Sequence, residues 1–278
     1  MRYLNLGCGH RFHPGWTNVD FISIDNRVIA HNLMEGIPFP DEYFDVVYHS
    51  HLLEHFPKDK AETFLKECLR VLSSKGVIRV VIPDLEFLAN NYIKALDEAR
   101  KGNVRADSNY QWSLLHLFDQ TFRSCHGGSM TEYLSRNDID NEEYIVKNCG
   151  IEAKKIIDLS KENHGTKRIS NFIKKYCLLF KNPNLFRELL IKTLLGKEYN
   201  ALRIGRFRNS GEVHQWMYDR YSLKKLMKRC GFVEITECTA INSRIQDWQS
   251  FQLDTGPNGS VYRPDSIFME AVKATHSA

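Results

Sequence analysis

The chain has 278 residues, is 42% apolar and 12% aromatic, and carries a formal net charge of +4. That is enough apolar surface for one large domain, or for one domain carrying an insertion. No run approaches the roughly 18 apolar residues of a spanning helix, and Met1 leads straight into a strand-like segment without a cleavable leader. An intracellular, cytoplasmic protein is expected. The seven cysteines are odd in number and scattered, with no Cys-x-x-Cys pair, which argues against a disulfide framework and a structural zinc site. Charge is uneven: residues 147–208 hold 15 Lys and Arg against 5 Asp and Glu, leaving the rest of the chain at −6. Such a region is either a solvated helical face or a surface for an acidic partner such as anionic lipid, phosphorylated glycan or nucleic acid.

In chain order, the first two strand-like runs, Tyr3 to Leu6 and Trp16 to Asp20, flank Gly7, Cys8 and Gly9. Glycines directly after a strand permit a tight turn and close approach of a ligand. The connection from Gly7 to Gly15 supplies only nine residues, where a crossover with its helix needs about a dozen. The next, Phe21 to Asn26, is shorter still. Two helices are therefore missing from one face of the sheet. A dinucleotide site would want a third glycine and a helix N-terminus for the pyrophosphate, and Arg11 and Phe12 stand there instead. This disfavours a nicotinamide-dependent oxidoreductase and suits a phosphate-free nucleoside. Asp20, ending the second strand, can accept hydrogen bonds from both ribose hydroxyls.

Further short apolar runs, RVIAHNL, FDVVYHS and GVIRVVIPD, suit strands buried on both faces. Between the last two, Ala61, Phe64, Leu65, Cys68, Leu69 and Leu72 recur at helical spacing before a stop at Gly76. Strand, helix, strand implies a parallel sheet and an α/β fold. Residues 86–210 carry helical patterns, after which DRYSLKKLMKRCGF, FVEITECTA and SIFMEAVKA resume the α/β pattern. The expected organisation is residues 1–85 with 211–278 as one Rossmann-like domain, divided by a helical insertion over 86–210.

NLGCG, NVD, HNL with IPFPDEYFDVVYHSHLLEH, and LRVLSSKGVIRVVIPD together resemble the class I S-adenosylmethionine-dependent methyltransferases, in the branch called type 11 methyltransferase domains. The resemblance spans residues 2–85. The C-terminal GEVHQWMYDRYSLKKLMKRCGF and NGSVYRPDSIFMEAVK are similar to a subgroup associated with surface-polysaccharide biosynthesis. It implies a Rossmann-like class I methyltransferase sheet, here with reduced first helices and a large helical insertion after the fifth strand, and S-adenosyl-L-methionine as cofactor. Gly7, Cys8 and Gly9 would pass beneath its methionine part and Asp20 would hold the ribose. Asn32 and Leu33 would flank the adenine, and His49, Ser50 and His51 would border the transferable methyl. Asn5 stands where the family commonly has an acid for the cofactor's amino group, and Arg11 replaces the third motif glycine.

The implied reaction is in-line attack of an acceptor atom on an activated methyl, for which the protein supplies alignment and a base. His is the natural base near neutral pH. His51 and His55 stand four positions apart on one face of a helix start, with Glu54 between them. In the insertion, LLHLFDQTFRSCHGGSMTEYL offers Asp119, Gln120, Arg123, His126 and Gly127-Gly128, the last pair serving equally well as a helix cap. His214, Trp216, Tyr218 and Asp219 could stack on and bind a sugar ring, or Asp219 could cap the returning helix. No histidine spacing is diagnostic of a metal, and none is expected.

The expected acceptor is a small molecule or a glycan, most directly a sugar hydroxyl of a surface glycan or its lipid-linked precursor, and nucleic acid is not favoured. Departures at Asn5, Arg11 and Asn32 leave a non-catalytic scaffold as the alternative. Ile169, Phe172, Ile173, Tyr176 and Phe180 form an apolar stripe flanked by Arg168, Lys174, Lys175 and Lys181. Such a stripe either rests on an anionic membrane at its inner face or covers the sheet where helices are missing, and the second is favoured. A dimer partner is another way to cover it.

Overall fold

In a computed structural model, residues 1–163 and 183–275 are described. Seven strands, β1 (Tyr3–Leu6), β2 (Thr17–Asp20), β3 (Val28–Ala30), β4 (Phe44–Ser50), β5 (Leu72–Pro83), β6 (Phe232–Glu237) and β7 (Ser266–Lys273), form one sheet. Its order is β3-β2-β1-β4-β5-β7-β6. The first five strands are parallel, and β7 runs antiparallel to both β5 and β6. This is the mixed seven-stranded sheet of the Rossmann-like class I methyltransferases. As the short connections require, residues 7–16 and 21–27 form turns and no helix.

The helix α1 (Lys58–Val71) buries Ala61, Phe64, Leu65, Cys68 and Val71, the stripe its spacing predicts. It stops at Val71, five residues before the expected glycine. Leu72 is fully buried and pairs with Phe44, so sheet pairing takes over from helical spacing there. After β5 come α2 (Leu85–Arg100), α3 (Val104–Phe122), α4 (Gly128–Leu134), α5 (Glu142–Asn163), α6 (Pro183–Leu195), α7 (Tyr199–Arg208) and α8 (Arg220–Arg229). Asp84 caps α2 by accepting from Phe87 N at 3.1 Å, and its other oxygen pairs with Arg220 at 2.7 Å. The entry and exit of the insertion are thus tied together at the end of β5. Among the described residues, no helix is long and apolar enough to cross a membrane.

Right-handed crossovers put helices following a leftward and a rightward step of the sheet on opposite faces. α1 and α8 cover one face, packing Phe64, Leu65, Leu223 and Met227 onto Leu4, Leu6, Val47 and Ile78. The other face, where the first two helices are missing, is covered by the β6–β7 connection. There Ile245, Trp248 and Leu253 pack on Trp16, Val46, Tyr48 and Val81, with Tyr3 and Phe251 at the margin. Arg79, fully buried on β5, pins this cover down: it donates to Asp254 (2.8 Å), Glu270 (2.7 Å) and the Thr239 carbonyl (2.6 Å). Its guanidinium also lies 4.4 Å from the Trp248 ring centroid. Among the described residues this connection, and not the insertion, packs on that face. The described part of the insertion builds its own core, from Trp112, Tyr133, Ile145 and Ile157, and residues 168–181 lie outside the described residues.

Candidate active site

The C-terminal ends of the parallel strands converge on the Gly7–Gly9 turn, where open α/β sheets bind ligands. Asp20, ending β2, accepts from Gly9 N at 2.7 Å, so the acid and the glycine turn are locked together across the two strands. Gly9 has φ +49°, and a Cβ there would meet nothing within 4 Å. The turn therefore leaves open space beside an acidic group whose Oδ2 takes the Gly9 amide and whose Oδ1 has only a long, 3.5 Å bond from Ile22 N. These residues fit a ribose and its attached chain. Burial, followed by the charge of Asp20, pushes the Cys8 thiol up to about 12, so it stands in the turn as a neutral group.

Other residues of this end serve the fold. Asn5 spends both amide hydrogens, on the Arg11 carbonyl (3.1 Å) and Asn18 Oδ1 (3.2 Å). Arg11, in the place of the third glycine, donates to the carbonyls of Gln252, Leu253 and Thr255, and its guanidinium stacks 3.7 Å from the Tyr262 centroid. It fastens the turn to the β6–β7 cover. Asn32 caps a 3-10 turn over Leu33–Glu35 by accepting from Met34 N, and Leu33 is part of the main core.

At the end of β4, the structure gathers groups that are far apart in sequence. His49 is fully buried against Phe64, on the α1 face, and burial holds its imidazole down to about 3. Ser50 ends the strand opposite Val81. His51 has φ +51° and turns into a polar cluster: Nε2 meets Ser266 Oγ at 2.9 Å, and Nδ1 accepts from Arg263 at 3.0 Å. Burial first, then the Arg263 charge, keeps it well below the ordinary histidine range, so it is neutral at pH 7. Glu54 is fully buried, with neither oxygen hydrogen-bonded but Oε1 3.2 Å from His51 Nδ1, and burial pushes it up to about 8. His55 is held at about 4 by burial, and its ring meets His214 edge-on at 4.8 Å.

Beside this cluster lies a cavity of about 150 Å³ between the insertion and the segment before β7. Its polar lining is His116, Gln120, Arg123, Glu152, Arg263 and Asp265, and Trp112 adds an aromatic wall. His116 Nε2 meets Asp265 Oδ2 at 2.9 Å, while Asp265 Oδ1 is buried without a partner. Burial opposes charge on His116, but Cys149 and Asp265 outweigh it and raise the imidazole to about 10. Arg263 joins the two sites, because it lines the cavity and also contacts His51 and Glu152.

Of the sequence-predicted residues, His51, His55 and His214 are brought together, and Gln120 and Arg123 line the cavity. Asp119 is committed to α4: one oxygen takes Ser129 N at 2.7 Å and the other takes Arg123 at 2.9 Å. Gly128 must be glycine there, since a Cβ would lie 2.4 Å from Asp119 Oδ2. His126 is 93% exposed and pairs with Glu212 at the surface. Asp219 is the N-cap of α8, in a capping box with Ser222. Trp216 lies under Lys58, and Tyr218 is buried with its hydroxyl unpartnered. Sequence reasoning missed His116, Glu152, Arg263 and Asp265, which lie 65 to 214 positions from His51 and are linked to it in space through Arg263. The one signal was charge inside otherwise apolar or aromatic runs, as in SVYRPDSIF.

Strand order and direction define a methyltransferase-type α/β fold, with the glycine turn and Asp20 at the carboxyl ends of β1 and β2. Residues 18–80 match the family model described as a methyltransferase domain, which implies S-adenosyl-L-methionine as the cofactor. Solved structures similar to the chain include an S-adenosylmethionine-dependent methyltransferase from Archaeoglobus fulgidus, at 13% identity and TM-score 0.39 over 98% of this chain and 86% of that one. Another is a possible histamine N-methyltransferase from Thermotoga maritima, at 14% identity and TM-score 0.36 over 98% and 82%. A third is a putative methyltransferase from Bacillus halodurans, at 14% identity and TM-score 0.36 over 99% and 92%. No curated protein matches the chain.

Proposed function

We propose that the protein is an S-adenosylmethionine-dependent methyltransferase acting on a hydroxyl of a sugar-like acceptor, such as a unit of a surface glycan or of its lipid-linked precursor. The observation that carries this reading is the pairing of Asp20 with Gly9 at the open turn after β1, in a chain that also holds a polar cavity between the insertion and the segment before β7, reached from the end of β4 through the Arg263–His51 contact. Gly7, Cys8, Gly9 and Asp20 would hold the cofactor, which supplies a methyl activated by a positive sulfur. At about 150 Å³ the cavity is smaller than the roughly 300–1,000 Å³ of drug-sized sites, which suits a single ring or the tip of a longer acceptor. Trp112 gives that ring a stacking wall, and Gln120, Glu152 and Arg263 give its hydroxyls partners. The free oxygen of Asp265 accepts the reacting hydroxyl's proton, with the charged His116 orienting the carboxylate. His51, with both nitrogens engaged, positions Arg263 and Ser266.

Calorimetric titration with S-adenosylmethionine and S-adenosylhomocysteine, with NAD as control, tests the cofactor half. Micromolar binding of the first two alone is expected, and no binding to a folded sample would refute it. Methyl transfer from labelled donor to a panel of mono- and oligosaccharides tests the acceptor half. There Asp265→Asn should lower kcat about a hundredfold or more while leaving cofactor affinity in place.

A further inference from the structure

The end of β4 contains a second group of side chains that methyl transfer does not use. Glu54, His55 and His214 each offer a ligand atom, and these atoms all lie within 4.8 Å of one another. Glu54 is fully buried and neither oxygen makes a hydrogen bond, its one polar neighbour at close range being His51 Nδ1, 3.2 Å from Oε1 and already taken by Arg263; Nδ1 of His55 and Nδ1 of His214 are buried without hydrogen-bond partners as well. His214 Nε2 stands 4.0 Å from Glu54 Oε1. A buried carboxylate with no hydrogen bond is costly and takes up a proton or a cation. The two neighbouring imidazole nitrogens without partners favour the cation, because a proton on Glu54, which would face His51 Nδ1, leaves Nδ1 of both His55 and His214 unsatisfied.

A neighbouring cluster provides the contrast. His116, Cys149 and Asp265 are also close together, yet His116 and Asp265 are hydrogen-bonded at 2.9 Å and the thiol lies 3.7 Å from the same ring. Those groups largely satisfy one another. The Glu54 group does not.

We infer that Glu54, His55 and His214 bind one divalent transition-metal ion. One carboxylate and two imidazoles are borderline ligands that suit zinc, cobalt or ferrous iron better than magnesium or calcium, which favour all-oxygen sites. Ligands held about 2.1 Å from a tetrahedral ion stand roughly 3.4 Å apart, so closing around it requires side-chain rotation of about an ångström. Three protein ligands leave a coordination position open. The ion would link the end of β4 to the chain returning from the insertion at His214, beside the acceptor cavity. Linear spacing conceals this site, since 158 residues separate His55 from His214. The inference does not depend on methyl transfer.

The test is titration of the chelator-treated full-length protein with Co²⁺, followed by visible absorption and calorimetry, with metal content of the untreated protein measured by mass spectrometry. One equivalent of Co²⁺ should bind at micromolar or tighter affinity, with bands of a four- or five-coordinate site. Glu54→Gln and His214→Ala should each weaken binding at least a hundredfold, with circular dichroism confirming the fold, and Cys149→Ser should leave it unchanged. No binding to folded wild-type protein would overturn the inference. So would binding that survives Glu54→Gln and His214→Ala, or that is lost in Cys149→Ser alone, which would place the ion in the neighbouring cluster. S-adenosylmethionine titration of the same samples reports separately on the cofactor site.

Discussion

On one face of the sheet, α1 and α8 lay mainly aliphatic side chains over β1, β4 and β5. On the other, a helix-poor stretch from Cys238 to Asp254 does the same work with aromatic rings and one buried guanidinium. A helix satisfies its own backbone and needs only an apolar stripe to dock. A loop brings unpaired carbonyls, and Arg79 supplies donors for those of Thr239 and Asn242 while neutralising Asp254 and Glu270. The charge inside an otherwise apolar strand is thus the counterpart of the missing helices.

The largest effect that tests this comparison should come from Arg79→Met. It leaves Asp254 and Glu270 buried without their cation and should cost about 3–5 kcal/mol in urea unfolding. Adding Asp254→Asn and Glu270→Gln should restore part of that loss. If the single variant is near wild type, the ion network does not hold the cover. On the helical face, Leu65→Ala should cost about 3 kcal/mol through transfer and cavity terms, and no combination of charge changes should rescue it. At the ligand end, Asp20→Ala should weaken S-adenosylmethionine binding about tenfold to a hundredfold, and unchanged affinity would refute its ribose role. The sign of the pH effect follows from His116, whose folded value near 10 exceeds the ordinary histidine value of about 6.5. Its contribution is complete below about pH 6.5 and is lost as pH rises toward 10. The wild type should therefore lose stability over that range relative to His116→Gln, and parallel curves would show that the imidazole is not charged. Smallest, Asp219→Ala should cost about 1 kcal/mol by removing the cap of α8, seen as a small fall in Tm.

The pairing of Asp20 with the glycine turn was legible because its signals are local. Gly7, Gly9 and Asp20 are separated by a fixed, short path, and backbone geometry forces a glycine turn after a strand to face the sheet's carboxyl edge. The cavity was only half visible: Gln120 and Arg123 stood out, but the spacing of Asp119 and His126 gave no hint that one caps α4 and the other faces solvent. Asn5 and Asn32 likewise looked like ligand contacts by position, while their amides are consumed by Arg11, Asn18, Met34 and Glu35.

The sequence by itself determined the α/β fold, the missing first helices, the helical character of the described part of the insertion and the pairing of a glycine turn with an acid at the strand ends, because periodicity and connection length are properties of neighbouring residues. Only the tertiary structure decided which segment covers the bare face, that Arg263 and Ser266 meet His51, and that His214 returns to Glu54 and His55. Those contacts join residues more than 150 positions apart, and closing such loops depends on the packing of the whole sheet, which no local pattern encodes.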